Sequence, residues 1–147
     1  MSFCATSNLF LGSGLFDLGA AHECGVRVGL GTDVGAGTTL SMLRTMEESY
    51  KVCQLAGQSL SPMQAFYLAT LGGAAALYLE DRIGNFDIGK EADFVVLDPK
   101  ATPHLARRME RTTTLAERLF AFMIMGDDRA VHATHVLGAL AHARAGG

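Results

Sequence analysis

Tryptophan is absent from this 147-residue chain, and proline and cysteine occur only three times each. Cys4, Cys24 and Cys53 are odd in number, widely spaced and contain no C-x-x-C. That usage excludes a disulfide framework and a zinc ribbon, and it matches thiols kept reduced in a cytoplasmic setting. Charge is also scarce: 18% of residues are charged, against about a quarter in an ordinary soluble domain. With a net charge of −3 and no sustained basic stripe, nucleic acid is excluded as a partner. Arg107, Arg108 and Arg111 do cluster, but Glu110 interrupts them and no aromatic residue interleaves. No basic segment followed by an apolar one marks a secretory signal. The longest apolar stretches, such as 119–125, are too short to cross a bilayer, so no membrane partner is expected. What is plentiful is apolar surface: 49% of residues are hydrophobic and the mean hydropathy is +0.23. A chain so apolar, with so few charges, is expected to lack a partner surface.

Several chemistries fail on spacing. Gly29-Leu30-Gly31 has no third glycine at position 34, so the dinucleotide fingerprint is missing. The glycine loop 31–37 has no lysine to reach a phosphate, which excludes a P-loop. Ser13 lies between Gly12 and Gly14 but outside the G-x-S-x-G frame of a nucleophile elbow. His22, His104, His132, His135 and His142 show neither H-x-H nor H-E-x-x-H spacing. His132 and His135 fall on opposite faces of a strand and are not expected to share a metal.

The local pattern predicts alternating strands and helices. A strand over 2–6 leads through a Ser/Asn/Gly loop to a helix over 15–24, which Gly25 stops. A second strand over 26–30 completes a βαβ unit with parallel strands. A helix capped at Thr38 or Thr39 is expected to reach Ala56, with Leu43, Met46, Tyr50 and Cys53 as its apolar stripe. Arg44–Glu48 and Glu47–Lys51 then pair on its outer side. Ser61-Pro62-Met63-Gln64 reads as a capping box with proline at the first helical position, opening a helix to Leu71 that breaks at Gly72-Gly73. Met42, Met46 and Met63 read as core filling. Beyond a boundary near Glu80 the texture turns β-rich. A strand is expected over 92–97, a loop over 100–113 and a helix over 114–125 opened by the capping box at Thr114. A hairpin over 130–136 and 139–143 turns at Leu137-Gly138.

Gly31-Thr32-Asp33 is the segment that carries chemistry. Val26, Val28 and Leu30 face one side of the second strand, and Asp33 has the parity of the other. Its carboxylate is expected to point into room left by Gly29 and Gly31. An acid beyond the C-terminal end of a strand is how barrel and open-sheet enzymes place catalytic groups. Asp33 also reads as the residue that initiates the glycine turn 34–37. Thr6-Ser7-Asn8 ends the first strand on the same rim, and its residues read as turn formers.

The stretches 6–14, Gly29 to Thr38, 65–74 and 83–96 together resemble the C-terminal part of guanine deaminases, within the metal-dependent amidohydrolase superfamily. The resemblance covers nearly the whole chain in order. It implies a C-terminal fragment of an eight-stranded (β/α) TIM-type barrel with part of a flanking β-sandwich. Residues 1–80 would be the last βα units, with strands seven and eight, and residues 81–147 the sandwich portion with one helix. It also implies that Asp33 is both a ligand to a single zinc and the proton shuttle. A carboxylate beside a zinc-bound water accepts its proton as hydroxide attacks C2 of guanine, and returns it to the departing amine, giving xanthine and ammonia. A homo-oligomer, a dimer, is expected of the complete enzyme.

Two departures qualify the resemblance. Ala5 follows Cys4 where the family usually has proline. The family's H-x-H, its later histidine ligands and its general-acid glutamate have no counterpart, and a complete barrel takes about 250 residues. The chain is therefore expected to be inactive alone. It is either part of a guanine aminohydrolase completed by the missing segment, or a non-catalytic remnant. A related zinc aminohydrolase of another substrate is the further alternative.

Overall fold

The computed structural model describes residues 1–144 and is mixed α/β. Strand β1 (Ser2–Phe3) leads into helix α1 (Ala5–Leu11), then helix α2 (Leu18–Glu23) and strand β2 (Gly29–Leu30). The two strands pair in parallel, Ser2 with Gly29 and Phe3 with Leu30, as a βαβ connection requires. Both are shorter than the sequence suggests, β1 because the chain turns helical immediately after Cys4. Asn8 N–H donates to the Cys4 carbonyl at 2.9 Å, and the end of the expected strand together with the start of the Ser/Asn/Gly loop is a helix with Ala5, Thr6 and Ser7 buried. Tertiary burial overrides the turn preference of Ser and Asn here. Helix α2 starts later than expected, where the Asp17 carboxylate accepts from Ala20 N–H. Gly25 lies just beyond its end with φ +69°.

Helix α3 (Met42–Leu55) is capped by Ser41, whose hydroxyl accepts from Arg44 N–H, rather than by Thr38 or Thr39. Thr39 instead accepts from Ser41 N–H at 3.0 Å. The α3 stripe is buried as expected at Leu43, Met46 and Cys53. On its outer face Lys51 pairs with Glu47 at 2.8 Å, but Arg44 chooses Glu47 at 2.6 Å and leaves Glu48 to Lys51. Helix α4 (Pro62–Ala69) opens with the capping box at Ser61 and Gln64. Met63 on its first turn is exposed, not core. The helical break falls at Thr70, and helix α5 (Leu71–Ala76) contains Gly72 and Gly73 within it.

Strand β3 (Phe94–Leu97) follows, then helix α6 (Pro103–Met109) in the stretch read as a loop. Thr102 caps it and Pro103 takes its first position, so Arg107 and Arg108 belong to a helical last turn. Helix α7 (Leu115–Met125) opens at the Thr114 capping box. Strands β4 (Val131–Val136) and β5 (Ala139–Ala143) form the expected hairpin, with positive φ at Leu137 and Gly138. They extend β3 into an antiparallel sheet of order β3-β4-β5.

One hydrophobic cluster joins these parts. Phe3 and Leu30 from the parallel pair meet Leu43, Met46 and Cys53 of α3, Leu68 of α4, Leu105 of α6, and Ala121 and Met123 of α7. No described helix is long and apolar enough to cross a membrane.

Candidate active site

The C-terminal ends of β1 and β2 lie side by side, and each releases one polar residue that matters. From β1 the chain passes Cys4 into α1, whose third residue is Ser7. From β2 it passes Gly31 and Thr32 to Asp33. The Ser7 hydroxyl donates to Asp33 Oδ2 at 2.6 Å, across 26 positions of sequence. Ser7 is 3% exposed, whereas Asp33 faces solvent. Among the described residues no other side chain or amide donates to the Asp33 carboxylate, so Oδ1 keeps its lone pairs free.

Asp33 does not reach this position by continuing the strand. Its φ is +47°, in the left-handed region that costs a non-glycine residue about 1–2 kcal/mol, with Asp among the more tolerant types. The left-handed step starts the turn that follows, in which Gly37 N–H donates to the Asp33 carbonyl at 2.5 Å. Gly37 is required there because a Cβ would collide with the Thr32 carbonyl oxygen. Asp33 is thus both the turn initiator and the carboxylate on the rim. The two readings of the sequence are not exclusive.

The space attributed to the strand glycines has another tenant. A Cβ on Gly29 would lie 2.6 Å from Gly73 Cα, so this glycine admits the backbone of α5. A Cβ on Gly31 would collide with the Ser2 hydroxyl. Neither glycine clears room for Asp33. Ser7, which with Thr6 and Asn8 reads as a turn former, is the partner of the carboxylate. The only sequence signal for it was the shared rim.

A groove of about 610 Å³ is lined by Thr6, Phe10, Thr38, Thr39, Arg44 and Glu48 and includes neither Ser7 nor Asp33. Thr6 Oγ1 is buried without a hydrogen-bond partner. A second, apolar cavity of about 710 Å³ lies between α3, α4 and the β3-β4-β5 sheet and does not include Asp33. Cys53 lies buried in the core, and burial pushes its thiol pKa up.

A catalytic zinc takes about three protein ligands and a water. The described residues bring no three His, Cys, Asp or Glu side chains together. His135 stacks on Phe94 with ring centres 4.3 Å apart, in the sheet and away from Asp33. Asp33 offers one oxygen donor, and the donor set of this chain alone does not fit the ion.

The chain matches the amidohydrolase family over residues 1–141. It is 56% identical to the guanine deaminase of Escherichia coli over 144 residues, which cover 98% of this chain and 33% of that protein. The solved E. coli structure superposes with a TM-score of 0.95, again over 98% of this chain and 34% of that one. An adenosine deaminase from Xanthomonas campestris with bound zinc is 28% identical with a TM-score of 0.78, covering 95% of this chain and 31% of that one. A guanine deaminase from C. acetobutylicum with guanine in its active site is 30% identical with a TM-score of 0.76, over 95% and 33% of the two chains. The chain therefore spans about a third of the length of the relatives it matches.

Proposed function

This chain belongs to the amidohydrolase family, and on that footing we propose that it carries the Asp33-bearing C-terminal portion of a guanine deaminase. In the reaction water adds at C2 of guanine, the C2–N bond breaks, and xanthine and ammonia leave. Residues 1–80 would be the last βα units of the barrel, with β1 and β2 as strands seven and eight. Residues 81–147, expected with one helix but holding two, α6 and α7, would be the flanking sandwich portion. The observation that carries the reading is the rim itself: two parallel strands end together and hold one carboxylate, Asp33, in a fixed, solvent-facing position. Free oxygen lone pairs on an oriented carboxylate are what a proton carrier needs.

Asp33 is assigned a zinc ligand's place and the proton-carrying role in the whole enzyme. The other ligands would come from the part of the relatives' length that this chain does not span. Free thiols at Cys4, Cys24 and Cys53 support a reducing, cytoplasmic compartment. Guanine rather than another purine is supported by the 56% identity to the E. coli guanine deaminase.

The test is a full-length chimera in which residues 1–147 replace the matching third of the E. coli enzyme. Ammonia release from guanine, adenine and adenosine is then compared. Guanine turnover near the typical rate of about 10 s⁻¹ is expected. Preference for adenosine, or no turnover of any of the three, would contradict the proposal.

A further inference from the structure

The Ser and Thr hydroxyls within α3 bond back to the turn below, as Thr70 at the end of α4 does, whereas Thr6 of α1 has no partner. Thr45 donates to the Ser41 carbonyl, Ser49 to the Thr45 carbonyl and Thr70 to the Phe66 carbonyl. Ser7 does neither. The carbonyl four residues before it belongs to Phe3 and already accepts from Gly31 N–H at 3.1 Å, within the strand ladder. The Ser7 hydroxyl instead crosses to Asp33 Oδ2 at 2.6 Å. From these contacts we propose that Ser7 is a positioning residue for catalysis. It holds one oxygen of Asp33 so that the other, Oδ1, faces the reacting centre in a single orientation.

Three features support this. Ser7 is 97% buried, being 3% exposed, so it is placed to act on substrate only through Asp33. A buried hydroxyl that loses its acceptor is left unsatisfied, which discourages Asp33 from swinging away. The backbone of Asp33 is strained at φ +47°, and such strain persists at functional sites when the surroundings over-determine it. The bond runs from the rim of one strand to the rim of the next, so it also fixes the spacing of the two loops. Partners of this kind that orient a functional group typically change activity ten- to a hundredfold when lost.

This inference rests on the role given to Asp33 above, and one set of variants separates the two. In the full-length chimera, Ser7→Ala is expected to lower kcat roughly ten- to a hundredfold with KM and melting temperature little changed. Ser7→Thr keeps the donor and should restore most of the rate. A crystal structure of the Ser7→Ala enzyme should show the Asp33 carboxylate rotated from its parent position. A normal kcat in Ser7→Ala, an unmoved carboxylate, or an equal kcat loss in a stably folded Ser7→Thr would overturn the proposal, provided Asp33→Asn is inactive. Near-parent turnover in Asp33→Asn would instead remove the reading of Asp33 itself.

Discussion

Gly29 of β2 and Gly73 of α5 meet backbone to backbone, with the site of a Gly29 Cβ only 2.6 Å from Gly73 Cα. This contact seats α5 directly on the strand whose end delivers Asp33. Gly29→Ala must push the helix away and is expected to destabilise the full-length chimera by about 1–3 kcal/mol. Denaturant unfolding of parent and variant measures it. An unchanged midpoint would mean that α5 has slack against the strand.

The isolated 147-residue chain should associate. Each parallel strand has one partner among the described residues, and Phe10, Leu77, Tyr78, Phe86 and Ile88 are all at least two-thirds exposed. Unpaired strand edges and exposed apolar patches recruit further chains. Light scattering after size exclusion, with ANS fluorescence, should report oligomers or a dye-binding, loosely packed state. A dispersed monomer with a sharp melt would show that these surfaces are content in water.

Acid should weaken the helix start at Thr114. Thr113 and Thr114 N–H groups donate to the Glu117 carboxylate, and these bonds hold its pKa below the usual glutamate range. A carboxyl depressed in the folded state stabilises above its unfolded value and loses that contribution as pH falls through the folded one. Glu117→Gln keeps the shape but not the charge. Its destabilisation relative to parent should be present at pH 7 and fade below about pH 4. A penalty independent of pH would contradict the charged cap.

Local signals were the legible part of this sequence. The capping boxes at Ser61 and Thr114 and the Leu137-Gly138 hairpin turn are settled by residues within a few positions of one another, and the structure has all three. Helix α6 was equally local in its Thr102-Pro103 start, but its basic last turn resembled a solvated loop. Helix α1 was hidden because Thr6, Ser7 and Asn8 prefer turns in isolation, and only burial against the core makes them helical. The site divided in the same way. Asp33 stood out from its place after a strand, whereas Ser7 became its partner through a contact spanning 26 positions. The glycines misled for a related reason: what fills the space beside Gly29 is Gly73, 44 residues away.

The most direct test of the account is guanine turnover by the full-length chimera carrying Asp33→Asn. Asparagine preserves the size of the side chain and can still accept from Ser7, but it carries no charge to take a proton. The account predicts a folded enzyme, with the melting temperature of the parent within a few degrees, whose kcat falls at least about a hundredfold. A variant that deaminates guanine at near the parent rate would contradict it, and would leave Asp33 as the residue that starts the glycine turn.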